Sequence, residues 1–161
     1  VSRSVPEAVA VAEPEVGRAV LRGRMGIALL SLIGFFIAGY LLLHRMGLVG
    51  PLMCGFGDCD TVQLSQWSVF LGIPVPAWGV GGYTALFVVS LLGLQPQFMA
   101  ARWVSAALFG MAAFAFLFSA YLTALEAFVI RAWCQWCVVS AVLATGIFLF
   151  SLAELARLRR R

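Results

Sequence analysis

The chain has 161 residues, 63% of them hydrophobic and only 11% charged, with a mean hydropathy of +1.00. Soluble domains are about half apolar, so this balance excludes a water-soluble globule and places the chain in a membrane. The net charge of +4 comes from arginine alone, but these arginines flank apolar runs instead of grouping with aromatic readers on one folded face, which excludes nucleic acid as a partner.

The chain opens with VSRSVPEAVAVAEPEVG, a mixture of Pro, Glu, Val and Ala without an apolar face long enough to fold alone. Residues 1–24 read as a mobile cytoplasmic tail. Four apolar runs follow, at about residues 25–43, 77–94, 103–125 and 133–153, all free of acidic and basic side chains. Each is close to the ~20 residues that cross a bilayer. The first has arginines before it, as a signal peptide does, but it is of spanning length and no small-x-small cleavage site follows, so it reads as a retained helix. The fold class expected is all-α, an integral membrane four-helix bundle over residues 25–156, followed by a cytoplasmic basic tail at 157–161.

The first connection, residues 44–76, is long for a bundle, and long connections are usually functional or disordered. Its segment LSQWSVFLGIPVP sets Leu64, Trp67, Phe70, Leu71 and Ile73 at spacings near three and four, ended by Gly72, Pro74 and Pro76. This predicts a short amphipathic lid helix on the membrane surface, in contact with lipid. The second helix opens AWGVGGY, where Gly79, Gly81 and Gly82 permit close approach of a neighbour. The third carries FGMAAFAF, small residues alternating with phenylalanines as in a bundle core.

Arginine counts near the span ends set orientation. Arg3, Arg18, Arg22, Arg24, Arg102, Arg157, Arg159, Arg160 and Arg161 fall on one side, and only Arg45 and Arg131 on the other. Both termini are therefore expected in the cytoplasm and the 44–76 loop outside, on the oxidising side where disulfides persist.

All four cysteines fall on that outer side, as two close pairs: CGFGDC at Cys54 and Cys59, and CQWC at Cys134 and Cys137. C-x-x-C in the first turn of a helix puts both sulfurs on one face. The unpaired N–H groups there, with Arg131 just upstream, favour thiolate. Asp58 and Asp60 flank Cys59 and disfavour its thiolate, so the helix pair reads as fixed and reactive and the loop pair as movable. Two other readings stay open: four thiolates holding zinc, or two structural disulfides in a non-catalytic membrane scaffold, although C-x-x-C closes too short a loop to constrain the unfolded chain much. If the pairs exchange, electrons need a sink. No G-x-G-x-x-G follows a strand, and His44 is the only histidine, which leaves a quinone dissolved in the bilayer.

Taken together, the loop pair, the run from Cys59 and Asp60 through Val62 and Ser65, LGIP and WG entering the second helix, and C-x-x-C opening the fourth resemble the vitamin K epoxide reductase family, especially its bacterial members. The resemblance covers nearly all of the chain from the first helix on. DsbB-type oxidants share four helices but carry C-x-x-C in the first loop, unlike this chain.

The resemblance implies a thiol:quinone oxidoreductase of the bacterial cytoplasmic (inner) membrane that supports disulfide-bond formation. Cys54 would meet a thioredoxin-fold, DsbA-like partner, Cys59 would exchange with Cys134, and Cys137 would stand nearest a menaquinone- or ubiquinone-type cofactor. Such partners are strong oxidants, about −120 mV for DsbA, so only a more positive sink regenerates them. Mammalian members place an asparagine and a tyrosine near the quinone where this chain has Val75 and Ala141, which turns attention to Tyr83, Tyr121 and Ser140 as quinone-binding residues. Many bacterial members continue into a fused thioredoxin-like domain; here the sequence stops at RLRRR, and the expected partner is a separate protein. A chain cut from such a longer protein would read the same way.

Overall fold

Backbone amides inside a bilayer have no water to bond, so an apolar run of spanning length closes its own hydrogen bonds as a helix. A computed structural model of the protein describes residues 7–99 and 101–159. Its helices are α1 (Glu7–Arg45), α2 (Cys59–Leu64), α3 (Val75–Gly93), α4 (Arg102–Ala124) and α5 (Gln135–Arg159). A two-stranded antiparallel ribbon, β1 (Val69–Phe70) and β2 (Ile73–Pro74), joins α2 to α3. Four helical stretches are long and apolar enough to cross a membrane: Gly17–Arg45, Val75–Gly93, Arg102–Ile130 and Gln135–Arg157. The expected all-α membrane bundle is what forms.

The four long helices make a ring in which α1 packs on α3 and α5, and α4 closes the circle against both of them. Each contributes one wholly or almost wholly buried aliphatic residue to the centre: Ile27, Leu86, Leu108 and Ile147. Of the three glycines in AWGVGGY only Gly79 marks a close approach, since a Cβ there would stand 3.1 Å from Ala38, while Gly81 and Gly82 have open space beside them.

Residues 7–24, within the stretch read as a tail, form the first turns of α1. Their Ala, Leu, Glu and Arg are strong helix formers, and Val20 and Arg24 are buried in the bundle. Residues 1–6 lie outside the described residues, as do 160–161, and 157–159 continue α5 instead of forming a tail.

The lid is present, but its helix lies upstream of Leu64–Leu71. Asp58 caps α2, its Oδ1 accepting from the Thr61 N–H at 3.0 Å, a bond worth about 1 kcal/mol to a helix start. Ser65 is extended and ends that helix, and one 3-10 turn, Gln66–Ser68, leads to the ribbon. Val69 pairs with Pro74 and Phe70 with Ile73, so Leu71 and Gly72 form a two-residue turn with φ of 53° and 79°, the left-handed pair such turns require. The i, i+3, i+4 spacing of the apolar residues therefore reflects an outward apolar surface, with Leu64 and Leu71 well exposed, and not one helical face. Arg45 at the end of α1 donates to the Gln63 carbonyl at 2.8 Å, and Trp78 Nε1 donates to the Phe70 carbonyl at 3.1 Å. These bonds tie the cap to α1 and α3.

Candidate active site

The C-x-x-C pair owes its place to an irregular ending of α4. The helix widens into a π turn at Leu125–Ile130, and Arg131 then adopts a left-handed conformation, φ 57°. A short extended stub follows, and Cys134 is its last residue before α5 begins at Gln135.

The cysteine loop lies along this stub like a paired strand. Gly57 and Cys134 form a β-bridge, and the Asp58 N–H donates to the Trp133 carbonyl at 2.9 Å. Gly55 N–H donates to Gln135 Oε1 at 2.7 Å and Trp136 Nε1 to the Met53 carbonyl at 3.1 Å. Gly57 is required twice over: its φ is +79°, and any Cβ there would overlap the Trp133 carbonyl.

This docking gathers all four cysteines. Cys54 and Cys59 form a disulfide with Cα atoms 6.3 Å apart, and Cys134 and Cys137 are thiols. Cys59 and Cys134 are buried in one apolar cluster with Leu41, Leu52 and Val62, and Cys54 and Cys137 pack at its margin. Cys54 is partly exposed whereas Cys59 is only 2% exposed, so the loop pair has an accessible sulfur and a sheltered one beside the second pair.

The Cys134 thiol is lowered to about 7, first by its hydrogen bond with the Cys137 side chain and then by the Cys137 N–H and Gln63, against burial and the nearby Glu126 carboxylate. Arg131 is exposed, and hydrogen bonds do the work expected of it. Asp58 is held below the usual carboxylate range by the Thr61 hydroxyl and N–H, so its charge is spent on capping α2.

The thiolate is the reactive form, so alkylation of Cys134 in the reduced protein is expected to accelerate through about pH 7 and then level off, below the ~8.5 midpoint of an ordinary cysteine. Limited access of the reagent scales the rate without moving the midpoint. Cys137→Ser, which weakens the chief cause, should move it upward; a wild-type midpoint at 8.5 or above, read by mass spectrometry of the labelled peptide, would contradict this account.

Two polar residues that sequence reading missed complete the site. Gln63 is 4% exposed; its Nε2 donates to Cys137 Sγ at 3.4 Å and points at Cys134 Sγ at 3.9 Å, while its Oε1 is buried without a partner. The signal was its spacing, since Gln63 stands four residues after Cys59 and so on the same face of α2. Glu126 is 3% exposed, and its Oε2 accepts from the Cys134 N–H at 3.0 Å. A lone acid closing an apolar run was its signal.

The three other quinone-binding candidates lie elsewhere. Tyr83 and Ser140 bond each other in the core, hydroxyl to hydroxyl at 2.7 Å, and Tyr121 is exposed on α4 beside Phe118. A small cavity instead adjoins Cys137, lined among others by Gln63, Ser65, Ser68, Val75 and Glu126. Its free volume, about 30 Å³, is of the order of one or two water molecules. A larger open groove between α4 and α5, which Ala141 lines, touches none of the cysteines.

All four cysteines thus lie in or at the margin of one cluster beneath a cap, at one end of four helices long and apolar enough to cross a membrane. The model of the Vitamin K epoxide reductase family matches residues 25–152, and the chain belongs to that family of membrane thiol-disulfide oxidoreductases.

Proposed function

We propose that the protein oxidises a thioredoxin-fold, DsbA-like partner and passes the electrons to a quinone of menaquinone or ubiquinone type, supporting disulfide-bond formation on the outer side of a bacterial cytoplasmic membrane. The observation that carries this reading is the burial of Cys59 and Cys134 in one cluster, with Cys54 and Cys137 partly buried at its margin and Cys137 lining the cavity. Electrons would enter at Cys54, cross from Cys59 to Cys134, and leave from Cys137. A structural-staple reading needs both pairs bridged, whereas Cys134 and Cys137 are thiols in this structure. A zinc site would need the sulfurs of Cys54 and Cys59 as separate ligands, and they are joined.

The cavity beside Cys137 supports a quinone in its chemistry. Gln63 brings an amide with an unused acceptor, Ser65 and Ser68 bring hydroxyls, and the apolar lining suits a ring. Its present volume is too small for that ring, so admission requires the cap to withdraw, and Cys59 on α2 would move with it. The positive-inside count supports cytoplasmic termini, with one change: Arg24 is buried in an ion pair and contributes no free charge to that side.

The test is to reduce the purified protein, add a soluble quinone, and follow quinone absorbance and free thiols together. Each quinone reduced should match one disulfide formed, and Cys137→Ala should abolish the reaction. Thiols that persist in the presence of a quinone partitioned into the same micelle would sink the proposal.

A further inference from the structure

Glu126 is the one buried carboxylate at the cysteine end of the bundle among the described residues. It sits in the π turn that ends α4, a distortion that recurs at functional sites. Besides accepting from the Cys134 N–H, it lines the same cavity as Cys137 and Gln63.

The groups around it are the Cys134 N–H from the stub, and Cys137 from α5 and the neutral Gln63 amide from α2 across the shared cavity. No cation joins them: the ion pairs among the described residues are Arg24 with Glu154 and His44 with Asp60. Burying a carboxylate without a cation is costly. A glutamine would accept the Cys134 N–H equally well, so holding the stub does not explain the acid. What a carboxyl adds is the ability to take and give back a proton.

We propose that Glu126 is the proton acceptor for Cys137 when the Cys134–Cys137 pair is oxidised. This rests on the thiol-to-quinone reading. As the S–S bond forms, two electrons leave the sulfurs; the Cys137 proton moves to the Glu126 carboxylate, and the Cys134 proton has gone to water. With a quinone as the two-electron oxidant, the Glu126 acid would give its proton back toward it and water would supply the second. Where a small disulfide replaces quinone as oxidant, Glu126 keeps its proton: it is ionised beside the dithiol and protonated beside the disulfide.

The experiment is an infrared difference spectrum of the whole protein between its dithiol and disulfide forms, poised with reduced and oxidised dithiothreitol and no quinone. The carbonyl stretch of a protonated carboxyl should appear in the disulfide form and vanish in Glu126→Gln. In single turnover with a short-tailed quinone, Glu126→Gln should react about a hundredfold more slowly, within the range for general acid–base catalysis, and Glu126→Asp should recover part of the rate. Absence of the band from the wild-type spectrum overturns the proposal, as does a Glu126→Gln protein that reacts at the wild-type rate. Absence of the band is read in the wild type alone, and where Glu126→Gln fails to fold, a shifted band in Glu126→Asp assigns it and an unshifted one overturns the proposal. A band in a protein that reduces no quinone would remove the functional reading and leave the proton exchange standing.

Discussion

Cys59→Ser is expected to stop oxidation of an external dithiol partner while leaving the Cys134–Cys137 pair able to reduce quinone once it has been reduced chemically. Disulfide exchange proceeds only by attack of one thiolate on a bonded sulfur within contact distance. Cys134 is fully buried, and Cys59 is the loop sulfur packed with it in the same cluster. With Cys59 gone, Cys54 cannot relay: it sits at the margin, and its link to the interior was the disulfide. The partner-dependent rate should fall by roughly two orders of magnitude or more, as when one member of a concerted set is removed. Dithiothreitol-driven quinone reduction should change little, because a small reductant can attack the second pair at the partly exposed Cys137 without the loop. Cys137→Ser should do the opposite, leaving Cys59 and Cys134 to accumulate as a mixed disulfide visible on a non-reducing gel. Equal loss of both activities in Cys59→Ser would mean that the loop cysteine supports the site structurally and does not carry electrons.

The sulfurs and the spans were legible because their signals are local. A C-x-x-C pair and an apolar run each declare themselves within a few residues, and the lid could be placed from the apolar surface it carries. What the apolar spacing could not reveal was the backbone beneath that surface. Asp58 starts a helix at Cys59, and Leu71 with Gly72 bends the following segment into a ribbon, yet the outward apolar residues look the same in either conformation. Gln63 and Glu126 were hidden for another reason. Each looks like an ordinary polar residue at the edge of an element, and only the docking of the Met53–Asp58 strip on the stub at Trp133–Cys134 brings α2 and the π turn to one pair of sulfurs. Tyr83 and Ser140 show the reverse case, since hydroxyls that suit a quinone on paper spend their bonds on each other.

Glu154→Ala is expected to cost about 3–5 kcal/mol of stability, the range for removing one partner of a buried ion pair. Arg24 and Glu154 are 0% and 2% exposed and stand 2.8 Å apart, joining the first and last long helices across nearly the whole sequence. The guanidinium also donates to the Ser105 hydroxyl at 3.1 Å and to the carbonyls of Gly93 and Phe98, and Ser105 donates to Glu154 at 2.6 Å. One side-chain cluster thus locks α1, α3, α4 and α5 together at the end of the bundle away from the cysteines. Removing the carboxylate strands a guanidinium whose carbonyl partners carry no charge to balance it. Replacing both residues, as Arg24→Met with Glu154→Leu, removes the charge and the penalty together, and should recover most of the loss. Thermal unfolding in detergent, followed by tryptophan fluorescence, gives the comparison. The folded fraction of Glu154→Ala should still oxidise its thiols at the wild-type rate, because no atom of the cluster touches the cysteine site. A single variant as stable as the wild type would show that the pair is hydrated and that packing of Ile27, Leu86, Leu108 and Ile147 alone holds the ring.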